Sequence, residues 1–372
     1  MSKAAELAAL IASGQAQGNK NLIINGDMQC WQRATAATAV TNAYATVDRF
    51  RFVEGTAGAY TSERSTDSPI GTGYSLKLQV TTADASMASG DYAYFQQVVE
   101  AQNLQPLQYG TSSAKTLTLS FWVKSSKTGT YAIALVKADS TQYNFVHEYT
   151  ISSANTWEKK TITISPTAGS TSFITSAAGG INNDNGVGFY VVWMLCSGTD
   201  LNGATNNAWS SNGLHYTTTN QVNWMDSTSN NFYLSQVQLE IGEVATAFEH
   251  EDFATTLYKC QRYYQVVGDY RGIYTGSRWT STQIYATYPL ACPLRASPAL
   301  STGGAFPVLN KYDAAQSASA TALVASAAEA PDAFNTAIVL VYTLTGYTPV
   351  ANNVYQVSHN GATTFVVVDS EL

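Results

Sequence analysis

Residues 21–33 read NLIINGDMQCWQR, and this stretch is the most informative one for the fold of the 372-residue chain. Three later segments follow it: residues 115–124 (KTLTLSFWVK), residues 155–164 (NTWEKKTITI) and residues 232–250 (FYLSQVQLEIGEVATAFEH). From Leu117 onwards, apolar residues alternate with polar ones, which is the period-2 pattern of a β-strand. The text between residues 21 and 249 therefore predicts strands and turns.

Together these four segments resemble a jelly-roll domain that recurs in tail-fibre and other virion structural proteins of tailed bacteriophages. That domain is itself similar to the carbohydrate-binding modules appended to polysaccharide hydrolases. The resemblance covers roughly residues 20–265. It implies an all-β fold with a jelly-roll β-sandwich over residues 21–250, and a function in binding rather than catalysis.

The composition excludes several classes of partner. Charged residues make up 12% of the chain, about half the usual share of roughly 25%, and the net charge is -7. A nucleic-acid partner normally needs a basic stripe, and none is present, so we expect no nucleic acid. No apolar run approaches the roughly 18 residues of a membrane span, so we expect no membrane insertion. We expect a virion protein that is made in the bacterial cytoplasm and later exposed on the particle surface.

Four cysteines are far apart and include no CxxC pair, which argues against a zinc site. They are best interpreted as reduced, mostly buried thiols.

Carbohydrate-binding jelly rolls of the resembling type often hold a structural calcium through carboxylates near the first and last strands. Here the opening stretch carries Asp27, but residues 232–236 (FYLSQ) lack the expected Asp. This departure speaks against calcium, so we predict no cofactor and no metal, with a structural calcium as the alternative.

Residues 1–20 predict an attachment helix and linker, with helical text in residues 3–12 (KAAELAALIA). Ten residues form a marginal helix in water unless they pack on something. One interpretation is a frayed end. The other is an anchor that binds other virion proteins through Leu7, Leu10 and Ile11.

Residues 251–266 predict a helical connector. Phe253, Leu257, Cys260 and Tyr264 recur at spacings of four, three and four, which on a helix makes a coiled-coil-like seam. Two interpretations remain open: a core helix packed on its own sandwich, or a short three-fold stalk. The second predicts a homotrimer with these four residues at the interface.

Residues 267–372 again have a sequence pattern typical of β-strands. They predict a second, smaller β-sandwich, which would be the receptor-binding tip. A hairpin is expected with its turn at residues 275–277, flanked by strands. Residues 293–300 (PLRASPAL) and 365–372 (FVVVDSEL) resemble phrases of phage fibre C-terminal domains.

Aromatic side chains are the candidates for glycan binding, because the C–H faces of sugars stack on rings. Trp122 shares its strand phase with polar residues, so it is either an exposed platform or covered by a loop or a neighbouring subunit. Tyr274, Trp279 and Tyr285 form a second candidate cluster, with a place in the core of the small sandwich as the alternative.

Catalytic signatures are absent from the sequence: it holds no GxSxG, HExxH or GxxxxGK[ST] motif. A carboxylate pair for glycan hydrolysis is compatible with 26 acidic residues, so a hydrolase is the minor alternative. The main prediction is a homotrimeric tail-fibre or receptor-binding component that recognises a host surface glycan. The alternative is a capsid decoration or head-fibre protein that binds the particle through its N-terminus.

Overall fold

The computed structural model describes residues 20–267, 273–303, 306–310, 317–324, 337–344, 349, 354–358 and 365–372. The predicted attachment residues Leu7, Leu10 and Ile11 lie outside this part of the chain. The described residues fall into two compact units. The first ends at Thr256 and includes Leu372, and the second is Leu257–Glu371.

Antiparallel strands build the first unit. In chain order they are β1 (Ala36–Ala37), β2 (Phe50–Gly55), β3 (Ala59–Ser65), β4 (Ser75–Thr82), β5 (Tyr92–Glu100), β6 (Leu117–Ser125), β7 (Gly129–Lys137), β8 (Tyr143–Ile151), β9 (Glu158–Ile164), β10 (Val187–Ser197), β11 (Ala208–Ser210) and β12 (Asn231–Ile241). One sheet has the order β1-β3-β4-β12-β6-β9, and the other has the order β11-β8-β7-β10-β5-β2. The predicted all-β class is confirmed.

The core of the first unit lies between the two sheets. Strand β6 shows why, because Leu117, Leu119, Phe121 and Val123 are fully buried in it, as the alternation in the sequence predicts. From the opposite sheet, Trp193 stacks on Phe95 with ring centroids 5.5 Å apart. Burying such large apolar side chains is the main favourable contribution to folding.

The opening stretch packs against the closing strand β12. The Val237 N–H donates to the Gly26 carbonyl over 2.8 Å, and the Leu22 N–H donates to the Leu239 carbonyl over 2.8 Å. Asn25 has a left-handed backbone (φ 61°), and its side-chain oxygen accepts the N–H groups of Gln29 and Cys30. Asn tolerates this conformation better than most residues, so the Asn-Gly pair shapes the loop that meets β12.

Strands also build the second unit: β13 (Tyr264–Val267), β14 (Ile273–Arg278), β15 (Gln283–Pro289), β16 (Ala299–Gly303), β17 (Phe306–Asn310), β18 (Ser317–Val324), β19 (Ala337–Leu344), β20 (Val354–Ser358) and β21 (Phe365–Asp369). Strands β13, β21 and β16 form a three-stranded sheet. The other six close into a barrel with the order β14-β15-β19-β18-β17-β20. The all-β prediction therefore holds here too, and closure of the barrel removes free sheet edges.

Helix α1 (Phe253–Gln261) follows the sandwich. Asp252 caps its start, since its carboxylate accepts the Thr255 N–H at 3.0 Å and the Thr255 hydroxyl at 2.6 Å. The predicted helix to residue 266 is wrong at its end, because Tyr264 lies on strand β13 and pairs with Asp369 of β21. Short 3-10 helices occupy Ala101–Leu107, Ala177–Gly179 and Trp224–Asp226. None of the helices in the described ranges is long and apolar enough to span a membrane.

Candidate functional site

The sheet that contains β5 and β10 carries a second apolar cluster on its outer face. Ile133, Val191 and Trp193 belong to the core between the sheets. Their alternate neighbours form a separate cluster, and side chains in a strand point alternately to opposite faces, so this cluster lies on the outside. Its buried members are Ala132, Ala134, Val136, Val146, Val192 and Met194.

The long loop of residues 198–222 packs on this outer face through Ala204 and Tyr216. Backbone hydrogen bonds hold the loop closed, from the Tyr216 N–H to the Leu201 carbonyl (3.0 Å) and from the Ala204 N–H to the Thr217 carbonyl (3.0 Å). The Asn144 carboxamide on β8 ties it to the sheet by donating to the Asn212 carbonyl over 3.1 Å. The loop thus covers part of the outer face.

Four half-buried tyrosines lie on this outer face, and we call them the tyrosine face: Tyr92 and Tyr94 on β5, Tyr190 on β10 and Tyr216 on the loop. The ring centroids of Tyr92 and Tyr94 are 5.8 Å apart, and those of Tyr94 and Tyr216 are 6.2 Å apart. Arg51 on β2 pairs with Gln96 in the neighbouring strand β5. Aromatic rings, a guanidinium and a carboxamide therefore share one sheet face.

Partial burial raises the pKa of two of these phenols. It raises the pKa of Tyr94 to about 12, with the neighbouring Tyr216 and Tyr92 adding to the effect. Burial also raises the pKa of Tyr216. A neutral phenol retains its O–H donor, so each ring offers an apolar face and a hydrogen-bonding group at neutral pH.

Sequence reasoning missed the tyrosine face. The available signal was Tyr92 and Tyr94 at alternate positions of residues 91–99 (DYAYFQQVV), opposite in phase to the buried Ala93 and Phe95. With 23 tyrosines in the chain, that signal alone does not distinguish an open face from an interface.

Trp122, the predicted platform of the first unit, is half-buried on β6 beside Ser235 and Lys159. Two nearby aromatic rings on this outer face already contact the side chain of Lys124. The Lys124 ammonium lies 4.2 Å from the Tyr233 ring centroid and 5.3 Å from that of Trp157. Lys124 also forms an ion pair with Asp67. The rings around Trp122 are thus less available to a ligand than those of the tyrosine face.

The structure brings Trp279 and Tyr285 of the second unit together. Trp279 is 64% exposed, and its ring meets the half-buried Tyr285 edge to face with centroids 5.7 Å apart. The predicted turn at residues 275–277 is wrong, because these residues lie within β14. The turn follows Trp279, whose N–H donates to the Gln283 carbonyl over 2.8 Å. Tyr274 also lies on β14, but its side chain is outside the described part of the structure.

The four predicted interface residues do not form one helical seam. Phe253 on α1 is 53% exposed and Leu257 is half-buried, whereas Cys260 and Tyr264 are buried. Tyr264 is also on a strand instead of the helix. Phe253 and Leu257, one turn apart on α1, are thus the members that retain exposed surface. The homotrimer itself stays a prediction.

No protein-family model matches the sequence, and no curated protein matches it. Solved structures that are similar to this one include a putative sugar binding protein from Bacteroides thetaiotaomicron. It is 12% identical with a TM-score of 0.33, and the match covers 60% of this chain and 100% of that one. A family 11 carbohydrate-binding module from Clostridium thermocellum is 13% identical with a TM-score of 0.28, and the match covers 57% and 99%.

The enzymatically active domain of tailspike protein 4 from bacteriophage CBA120 is 10% identical with a TM-score of 0.30. That match covers 60% of this chain but 22% of the tailspike chain. At these TM-scores and identities, the similarities carry no argument about function. The functional conclusion therefore depends on the side chains described above.

Proposed function

We propose that this chain is a glycan-binding protein whose jelly-roll unit binds a polysaccharide across the tyrosine face. The observation that carries the proposal is the cluster of Tyr92, Tyr94, Tyr190 and Tyr216, which is half-buried on the outer face of a sheet. These four rings do not belong to the core between the sheets, which is filled by other side chains such as Phe95 and Trp193.

The geometry suits a neutral, hydroxyl-rich ligand. Sugar C–H surfaces stack on aromatic rings, and phenol and guanidinium groups hydrogen-bond sugar hydroxyls. Each ring contributes roughly 0.5–1.5 kcal/mol beyond area burial, if sugar stacking resembles aromatic pairing. The four rings are spread over two strands and the 198–222 loop, which favours an internal stretch of a glycan chain over a single small molecule.

We further propose that the protein is a virion component that uses this binding to recognise a host surface glycan. The support is the resemblance of residues 21–33 and 232–250 to tail-fibre jelly rolls. A homotrimer fits this role, because three linked sites raise avidity by about 10²- to 10⁴-fold without new contacts. The same proposal places the protein in a tail fibre, attaches it to the particle through its N-terminus and gives it no catalytic activity. The alternative is a capsid decoration or head-fibre protein.

Affinity electrophoresis through gels that contain host surface polysaccharide tests the binding. We expect the intact chain to be retarded and the Tyr94→Ala variant to lose most of the retardation. Tyr258→Ala is the matched control, because Tyr258 is 54% exposed and lies outside the tyrosine face. Equal mobility of the intact chain in gels with and without polysaccharide would refute the proposed function.

A further inference from the structure

The first unit holds a small pocket that is separate from the tyrosine face. It has a volume of about 280 Å³ and lies beside the bulge of strand β12. The residues that matter for its chemistry are Asp27, Gln29, Tyr74, Gln236 and His250, with Ile70 also lining it. Ile70 is 54% exposed, so the pocket is accessible from solvent.

Gln236 is the residue that points to a ligand. It is only 7% exposed, lines the pocket, and its carboxamide makes no hydrogen bond to any residue that the structure describes. Most carboxamides on buried residues are paired, so an unpaired one that lines a pocket has hydrogen-bonding capacity left for a molecule in that pocket. Gln236 also has a left-handed backbone (φ 51°), a conformation that few residues other than glycine and asparagine adopt readily. The bulge thus holds an unpartnered amide group at the pocket.

Asp27 supplies the second polar group. Gln29 donates a hydrogen bond to its carboxylate, and His250 lines the same pocket. Burial raises the pKa of Asp27, while the Gln29 hydrogen bond opposes this effect. With one hydrogen bond from another side chain, on one of its two oxygens, the carboxylate has acceptor capacity left for a donor that enters the pocket.

The size and the lining define the occupant. At about 280 Å³ the pocket is slightly smaller than the range of roughly 300–1,000 Å³ that is usual for drug-sized ligands, so its occupant is small. Calcium prefers six to eight oxygen ligands, often from several carboxylates, and Asp27 is the one carboxylate among the described lining residues. A carboxylate and a carboxamide instead match the hydroxyls of one sugar.

We propose that this pocket binds a single sugar unit at the end of a glycan chain, with Asp27 and Gln236 holding its hydroxyls. The proposal builds on the proposed glycan binding and adds a second, end-specific site to it. The tyrosine face binds internal stretches of the polymer. The pocket selects the terminal unit.

Saturation-transfer NMR on the full chain tests this site with millimolar methyl glycosides of glucose, galactose, mannose and N-acetylglucosamine as probes. We expect at least one probe to give a signal, and Asp27→Asn and Gln236→Gly each to weaken its binding about tenfold or more. Asn preserves the shape of Asp, and Gly tolerates the positive φ at position 236, so both variants are designed to fold. Circular dichroism melting verifies this.

Tyr258→Ala is the control, because Tyr258 belongs to neither site and its loss should leave the binding of the methyl glycoside unchanged. If no probe binds the intact chain, or if the signal persists in both pocket variants, the pocket proposal is overturned. In that case retardation by polysaccharide would still support the proposed function, and loss of both would refute both. Stabilisation by calcium chloride alone that Asp27→Asn abolishes would identify a cation site instead and would also overturn the proposal.

Discussion

Gly26 lies directly against the carbonyl of Val237: a Cβ atom built on Gly26 would be 2.1 Å from the Val237 oxygen. The Val237 N–H in turn donates to the Gly26 carbonyl over 2.8 Å. This close approach joins the opening stretch to the closing strand β12. It explains why glycine stands at position 26 of the Asn-Gly-Asp sequence in residues 25–27, since a side chain would collide with β12.

Gly26→Ala should therefore destabilise the first unit by about 1–3 kcal/mol, because the added methyl group forces the backbone of β12 to move. Urea denaturation followed by tryptophan fluorescence measures the change in the free energy of unfolding. Gly90→Ala is the matched control, since the nearest atom to its built Cβ is 3.8 Å away. Equal effects of the two substitutions would contradict the close-packing account.

The Tyr94 phenol predicts a pH dependence. Its pKa is raised from 10.0 to about 12 in the folded state, so the folded protein binds more protons than the unfolded chain between these values. The contribution to stability is fully present below about pH 10 and is lost as the pH rises through about 12. Tyr94→Phe should reduce this alkaline loss, as measured by unfolding at a series of pH values. An unchanged slope in the variant would show that Tyr94 is not the group responsible.

Trp279 predicts a contribution of the second unit to adsorption. Because Trp279 is 64% exposed and touches Tyr285 only edge to face, Trp279→Ala should leave the melting temperature nearly unchanged. If the ring contacts a host glycan, binding to host cells should weaken by roughly 0.5–1.5 kcal/mol. Thr280→Ala in the same turn is the control. Wild-type adsorption by the Trp279→Ala protein would remove this hairpin from the recognition surface.

The exposed side chain of Phe253 allows a test of the proposed trimer. A phenylalanine that is 53% exposed on α1 is a natural contact for neighbouring subunits, so Phe253→Asp should convert a trimer into monomers. Multi-angle light scattering at micromolar concentration measures the mass. Tyr258→Asp, on a different side of the same helix, should leave the mass unchanged. A monomeric wild-type protein would contradict the trimer.

Sequence patterns predict the fold well where one pattern has one physical interpretation. The alternation from Leu117 to Val123 is a strand, because its apolar residues fill the core between the sheets. Ambiguous patterns fail. The apolar spacing that includes Tyr264 suggests a longer helix, but pairing of β13 with β21 ends it. Gly276 suggests a turn, but it is within a strand where a Cβ would be 2.5 Å from the Tyr285 oxygen.

The tyrosine face depends on tertiary structure that the sequence does not reveal. Tyr94 and Tyr216 are brought together by the position of β5 in the sheet and by the packing of the 198–222 loop. Neither feature follows from local periodicity. Trp279 and Tyr285, by contrast, are close in sequence and on neighbouring parts of one hairpin, so their proximity was predictable.

A crystal structure of the chain with an oligosaccharide derived from the host polysaccharide tests the central claim most directly. The account predicts sugar rings stacked on the tyrosine face, in contact with Tyr94 and Tyr216, with hydroxyls hydrogen-bonded to phenol or guanidinium groups. A complex with the oligosaccharide bound elsewhere and the tyrosine face unoccupied would contradict it.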